Sequence, residues 1–263
     1  MSNVLRLTGV TLPGTGYPTL KSFLDPKPYL PVTTGLLGLY YLRDSLGGEV
    51  KNFAGGANLV KVGAPQLLEN GAVCGPTNYY DTGIQAQPLG TMLAIAIPTD
   101  APTSLVNSSP VMSNYLPGVY GNGDLLYFGT NFNQSGDVLG AGFSSTARGA
   151  DPTPGTTPVY VDATAPGTAP WPIFGTFVGN GHAVGRLKAG ALEKGVRSGA
   201  DFTRPVAPFG PTLRIGAAQS TGGFQGESKV ILVAYFNRIL TDSEILQNLT
   251  YLRNEWGISM GIW

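Results

Sequence analysis

The chain has 263 residues, of which 38 are glycine and 21 proline, and only 12% are charged against 42% hydrophobic. Lysine plus arginine equals aspartate plus glutamate at 16 each, so no net charge attracts the chain to nucleic acid or to an anionic membrane. The length suits one large β domain of about 200–250 residues. Because no window holds 18 apolar residues, the sequence predicts no membrane span.

The first 34 residues differ in composition from the rest. Prolines recur at Pro13, Pro18, Pro26, Pro28 and Pro31, a spacing that excludes a helix or a central strand and predicts an extended segment. Two interpretations stay open, a disordered tail or an arm that docks on a neighbouring subunit, and the second is our prediction. The domains are therefore predicted as an extended arm over 1–34 and a globular domain over 35–263.

Two features of secreted proteins are missing from the sequence. The N-terminus has no basic stretch followed by an apolar run, so we expect no secretory signal peptide. Cys74 is the only cysteine, which excludes an intrachain disulfide. These two absences favour a protein made and assembled in a cytoplasm.

The globular part alternates short apolar runs with turn-forming stretches. Short runs of apolar residues, several of them β-branched or aromatic, predict strands at 91–97, 124–129, 137–144, 159–161, 171–178, 183–188 and 229–236. The G-N-G of 179–181 predicts a hairpin turn. Irregular connections are predicted for 98–123, 149–170 and 191–204.

The C-terminal stretch carries the clearest pattern. Both faces of 229–236 are apolar, so this strand must be covered on two sides. Thr241 and Glu244 have the spacing of a capping box, which predicts the start of a helix. Gly257 is expected to end that helix, whose apolar stripe comprises Ile245, Leu249, Leu252 and Trp256.

A sequence resemblance extends over about the same stretch. The R-I-G of 214–216, the F-x-G of 224–226 and the N-R-I-L-T-D-S-E-I of 237–245 resemble the end of laminin-G-like, concanavalin A-like lectin–glucanase jelly rolls. The resemblance implies an all-β fold. It predicts an antiparallel β-sandwich jelly roll with one short C-terminal helix, preceded by the extended N-terminal arm. Such domains occur in bacteriophage tail and other virion proteins.

Candidate catalytic groups are sparse. Glycosidases built on this sandwich place two or three carboxylates two residues apart on one strand, and no strand here has that pattern. His182 is the only histidine, and no G-x-S-x-G motif accompanies a serine. We therefore predict that the protein is not an enzyme.

Residue types in the loops suggest two kinds of ligand, calcium and a glycan. Asp124 with Asn122, and Asp137 with Asn131 and Asn133, offer the hard oxygens that calcium prefers, but no D-x-[DN]-x-[DN]-G loop occurs, so we expect turn caps and no cofactor. Carbohydrate binding uses aromatic rings beside polar groups. The candidate ligand-binding residues are Tyr79, Tyr80, Asp81, Tyr115, Tyr120 and Trp171.

Taken together, these observations predict a non-enzymatic structural or adhesion subunit of a virion, from a phage tail, fibre or baseplate. Its expected partners are other virion subunits, further copies of itself bound through the arm, and a host-surface glycan. The expected location is the virion, assembled in the host cytoplasm. Two alternatives stay open: a soluble or surface carbohydrate-binding module of a bacterium, and, third, a glycan-cleaving enzyme.

Overall fold

Fifteen β-strands and one α-helix are formed by the residues that the computed structural model describes. These residues are 29–43, 50–116, 123–130, 139–145, 159–162, 169–178, 181–198, 206–219 and 223–263. The predicted arm lies outside them up to residue 28. Among the described residues, no helix has the length and apolar character needed to cross a membrane.

The strands form two antiparallel sheets. The strands of the first sheet follow the order β13-β12-β11-β6-β15-β4-β3, with β1 also paired to β15, and those of the second the order β10-β9-β8-β7-β14-β5-β2. Their bounds are β1 Leu36–Tyr41, β2 Val60–Val62, β3 Gln66–Leu68, β4 Gly71–Cys74, β5 Tyr79–Ala86, β6 Thr91–Pro98, β7 Ser109–Ser113, β8 Asp124–Thr130, β9 Leu139–Ser145, β10 Val159–Asp162, β11 Trp171–Val178, β12 Gly181–Lys188, β13 Ala191–Ser198, β14 Phe209–Ile215 and β15 Ser228–Phe236. The predicted all-β, concanavalin A-like sandwich is confirmed.

The main core lies between the two sheets, and β15, an inner strand of the first sheet, contributes residues to it. Val230, Val233 and Tyr235 of β15 pack in this core, whereas its other apolar residues pack with the helix. A register shift between Val230 and Leu232 interrupts the simple alternation. The strand is buried on both faces, as predicted, but the bulge moves Val230 to the face opposite the one that strict alternation assigns it.

Three strands form where the sequence indicated no strand or an irregular chain. β7 contains Pro110 and two serines, yet all five of its residues are buried. β13 pairs with β12 along its whole length and lies at the edge of the first sheet. β4 pairs with the start of β15. Each strand is held by pairing with another strand, which its own apolar periodicity does not report.

The C-terminal helix α1 spans Asp242–Tyr251 and has the predicted capping box. The Glu244 N–H donates to Thr241 Oγ1 at 3.3 Å, and the Thr241 N–H donates to Glu244 Oε2 at 2.9 Å. Arg238 forms a bidentate ion pair with Glu244, in which Nη2 donates to Oε1 at 2.7 Å and Nη1 donates to Oε2 at 3.0 Å. The hydrogen bond from Arg238, followed by that from the Thr241 backbone, lowers the pKa of Glu244 from 4.5 to about 2.

The Glu244 cap is expected to contribute to stability only above acidic pH. Because the folded pKa lies below the unfolded one, this contribution is complete above about pH 4.5 and is lost as the pH falls toward about 2. Glu244→Gln keeps a capping-box side chain but removes the ion pair with Arg238, so it should lower the free energy of unfolding at pH 7 by about 0.5–1 kcal/mol. Urea denaturation of both proteins at pH 7, 4 and 2.5 should show the difference shrinking; a difference independent of pH would contradict this.

The helical backbone continues beyond α1 as a wide π-helical turn over Leu252–Gly257. Gly257 does not end it, since Ile258 keeps helical dihedral angles of −65° and −44°. The glycine is required for a different reason. A Cβ there would lie 2.1 Å from Cζ3 of Trp263, so the C-terminal residue packs directly on the helix backbone.

The segment before β1 is anchored to the helix. Asn248 is fully buried and both accepts from the Val32 N–H at 2.9 Å and donates to the Val32 carbonyl at 3.3 Å. Leu30 is buried in the cluster beneath the helix. The last described part of the predicted arm therefore packs on its own domain.

Candidate functional site

The outer face of the second sheet carries a group of half-buried polar and aromatic side chains that includes two of the predicted site residues. In β14, Leu213 and Ile215 point into the core between the sheets, so Arg214 points outward. In β5, Tyr80 points into the same core, which places Tyr79 and Asp81 on the outer face. Strand alternation thus brings Tyr79, Asp81 and Arg214 together.

Arg214 lies at the centre of this group. Its Cζ lies 4.5 Å from the centre of the Tyr79 ring, and its cross-strand partners are Asp81 on one side and Ser113 on the other. No guanidinium nitrogen of Arg214 has a hydrogen-bond partner among the described residues. Nε is buried, whereas the two Nη atoms retain contact with solvent.

Asp81 forms no ion pair with the arginine beside it and accepts hydrogen bonds from two other groups. Thr212 Oγ1 donates to Asp81 Oδ2 at 2.7 Å, and the Gly83 N–H donates to Asp81 Oδ1 at 2.8 Å. Each carboxylate oxygen therefore has one protein donor and retains capacity to accept another hydrogen bond. We refer to Tyr79, Asp81, Thr212 and Arg214 as the Arg214 site.

A small aromatic cluster lies on the same sheet, on β8 and its flanking loops. The ring of Phe224 meets that of Tyr115 at 5.6 Å and that of Tyr127 at 5.1 Å, both edge to face. Burial raises the pKa of Tyr115. Leu125 and Ala218 complete this cluster, which covers part of the outer face.

The predicted site residues fall into three groups. Tyr79 and Asp81 belong to the Arg214 site, and Tyr115 lies on the same sheet in the aromatic cluster. Tyr80 is 1% exposed, and burial raises its pKa to about 12, while Trp171 packs between the sheets under Arg186. Neither faces a ligand in this conformation. Tyr120 lies outside the described residues.

Sequence reasoning does not single out Arg214 or Thr212 as site residues. Arg214 enters it only as part of the R-I-G resemblance, although its position between two apolar residues already indicates an outward side chain. Thr212 could not be identified in this way, since its contact with Asp81 spans 131 residues of sequence.

The other reactive side chains are enclosed by protein. His182 is buried beside the Phe143 ring at 5.8 Å. Cys74 is buried in the core, where desolvation raises the pKa of its thiol to about 12. Both positions favour structural roles.

A metal ion has little support in the described part of the chain. No three His, Cys, Asp or Glu residues lie together there. Asp124, one of the candidate calcium ligands, is buried, with its backbone N–H donating to Asn114 Oδ1 at 2.7 Å. Asn122, Asn131, Asn133 and Asp137 lie outside the described residues, so the prediction of no cofactor stays a prediction.

Comparison with known proteins identifies the fold through solved structures. No protein-family model and no curated protein matches the sequence. The chain is similar to a mutant Trypanosoma rangeli sialidase that displays trans-sialidase activity, with TM-score 0.57, 15% identity and coverage of 89% of this chain and 37% of that one. T. rangeli sialidase in complex with sialic acid matches with TM-score 0.55 and 16% identity, over 89% of this chain and 37% of that one. Ruminococcus gnavus IT-sialidase CBM40 matches with TM-score 0.48 and 14% identity, over 67% of this chain and 95% of that one.

These findings correct two predictions. The predicted virion subunit is wrong, since the similar structures are sialidases and nothing in the comparisons indicates a virion protein. The prediction that the protein is not an enzyme is also contradicted, because the fold is shared with enzymes. The chain spans 37% of the length of those sialidases, and at 15–16% identity the likeness establishes the fold.

Proposed function

We propose that this chain is a carbohydrate-binding β-sandwich module whose ligand lies on the outer face of the second sheet, at the Arg214 site. The observation that carries the proposal is the Arg214 guanidinium, which has no hydrogen-bond partner among the described residues and lies over the Tyr79 ring, with the Asp81 carboxylate on the neighbouring strand. This was the first alternative to the predicted virion subunit. The finer laminin-G-like assignment, which rests on the C-terminal motifs, belongs to the same proposal.

The chemistry of the Arg214 site suits a sugar. Sugars present hydroxyl groups that both donate and accept, together with apolar C–H faces. Asp81 retains acceptor capacity, Arg214 provides donors only, and Tyr79 provides an aromatic surface with a phenolic group. Val60 of β2 pairs with Asp81 of β5 and is 62% exposed. Among the described residues, the outer face of the second sheet is therefore open to solvent at its β2 edge.

The similar structures give independent support. One of them is a sialidase in complex with sialic acid, so this fold occurs in a protein that binds a sugar. Since the chain spans little more than a third of that enzyme, we transfer sugar binding and not the reaction of the whole protein.

Tyr79→Ala is the direct test. The purified chain should bind a subset of glycans on an array, and calorimetry with the best ligand should show about a tenfold or greater loss of affinity in the variant, as for an aromatic residue at the centre of an interface. Tyr29→Ala is the matched control, because Tyr29 is a tyrosine whose exposed ring packs edge to face on Tyr251 of α1 and not at the Arg214 site.

Three outcomes would count against the proposal. They are an array with no bound glycan, equal affinities for the Tyr79 and Tyr29 variants, and release of sugar from the bound glycans. The last would show an enzyme in place of a binding module.

A further inference from the structure

We infer that the Arg214 site selects glycans that bear a carboxylate, and that Thr212 makes this possible by holding Asp81 away from Arg214. The inference rests on the proposed function and adds the ligand class and a selectivity device. It follows from how the charges of β5 and β14 are paired.

The first step is the unneutralised charge. Arg214 and Asp81 are direct cross-strand partners, a position in which opposite charges commonly pair. They do not form an ion pair here, and Arg214 has no other hydrogen-bonding partner among the described residues. An arginine is charged at every relevant pH, so this strand position presents a positive charge that no described carboxylate neutralises by contact.

The second step is the restraint on Asp81. Its two oxygens are held separately, Oδ2 by the Thr212 hydroxyl and Oδ1 by the Gly83 N–H, at 2.7 and 2.8 Å. Neither donor is Arg214, so both hydrogen bonds hold the carboxylate without an ion pair to the guanidinium. Without the Thr212 hydroxyl, Oδ2 would lack its donor, and Arg214 is the cationic donor nearest to it in strand register.

The third step is the shape of the free cation. The guanidinium Cζ lies over the Tyr79 ring, 4.5 Å from its centre, and the Nη atoms reach solvent. A planar fork of N–H donors matches a planar carboxylate through two parallel hydrogen bonds, which are stronger than bonds to a neutral hydroxyl. A sugar with a carboxylate therefore gains more from Arg214 than a neutral one, while Asp81 remains available for a hydroxyl.

The decisive comparison uses ligands matched in all but the carboxylate. Calorimetry in low salt would measure α2,3-sialyllactose against its carboxyl methyl ester, and oligogalacturonate against its methyl-esterified form. We expect the full chain to bind at least one acidic member about tenfold or more tightly than its ester, and Arg214→Gln to reduce this ratio of affinities to about one. Arg253→Gln is the matched control, since Arg253 also lies over an aromatic ring, that of Trp263, but at the C-terminal helix.

Thr212 is tested by a variant that removes only the hydroxyl. Thr212→Val should reduce affinity for the acidic ligand about threefold or more, because Asp81 then pairs with Arg214, and Thr212→Ser should restore it. Asp81→Asn in the Thr212→Val background should also restore it, since the competing carboxylate is gone. A purely structural role of Thr212 would not be rescued by a change at Asp81.

The outcomes separate the two proposals. Equal binding of acid and ester, or a preference for sulfated glycans, overturns the inference and leaves carbohydrate binding intact. Failure of every glycan to bind overturns the proposed function itself. Thermal melting of each variant checks folding, and an Arg214→Lys variant, which keeps the charge but not the fork, should fall between the parent and Arg214→Gln.

Discussion

Replacing Trp256 with alanine is expected to lower the free energy of unfolding by about 3–5 kcal/mol, the range for a large buried aromatic residue. Trp256 is 1% exposed and packs edge to face on the Tyr41 ring, with 4.7 Å between ring centres. It joins the π-helical turn to β1, so truncation would leave a large cavity between helix and sheet. Urea denaturation followed by far-ultraviolet circular dichroism measures this loss without relying on tryptophan fluorescence.

Trp263→Ala is the appropriate control for this substitution. Trp263 belongs to the same cluster but is partly exposed, and its Nε1 donates to the Pro170 carbonyl at 3.1 Å. Its loss should cost about 1 kcal/mol, the scale of one hydrogen bond with limited burial. Equal losses for the two tryptophans would contradict the view that the interior position of Trp256, and not ring size, determines stability.

Local rules were sufficient for the start of the C-terminal helix and for the burial of β15, but not for the residue at which the helix ends. The capping box at Thr241 and Glu244 depends on residues three apart, and it forms as predicted. The apolar run of β15 likewise reports its burial on both faces. In contrast, β13 has few apolar residues and exists because β12 pairs with it, a contact that no local pattern in β13 indicates.

In the candidate site, too, some features follow from local sequence and others depend on strand pairing. Tyr79 and Tyr80 have the same residue type and adjacent positions, and only the parity of β5 decides that the first is outside and the second in the core. From the sequence alone, without knowing which positions of β5 face the core, the two tyrosines cannot be told apart. The placement of Asp81 beside Arg214 depends on pairing between β5 and β14, which are separated by most of the chain.

Gly216→Ala is expected to lower the free energy of unfolding by about 2–5 kcal/mol. Two effects add here, since Gly216 has a φ of +82°, where a side chain costs about 1–2 kcal/mol, and overpacking costs about 1–3 kcal/mol more. A Cβ at this position would lie 2.0 Å from Cβ of Cys74, which belongs to the opposite sheet. This is a close approach between the two sheets, directly after β14.

Gly55→Ala separates the two effects. Gly55 has a φ of +92°, and a Cβ added there would meet no atom within 4 Å, so only the backbone cost of about 1–2 kcal/mol should appear in urea denaturation. Cys74→Gly should reduce the cost of Gly216→Ala but not that of Gly55→Ala, because it removes the clashing atom. Equal costs at both glycines would refute the contact. Since Gly216 lies two residues from Arg214, Gly216→Ala should also weaken glycan binding, which links the packing of the sheets to the site on their outer face.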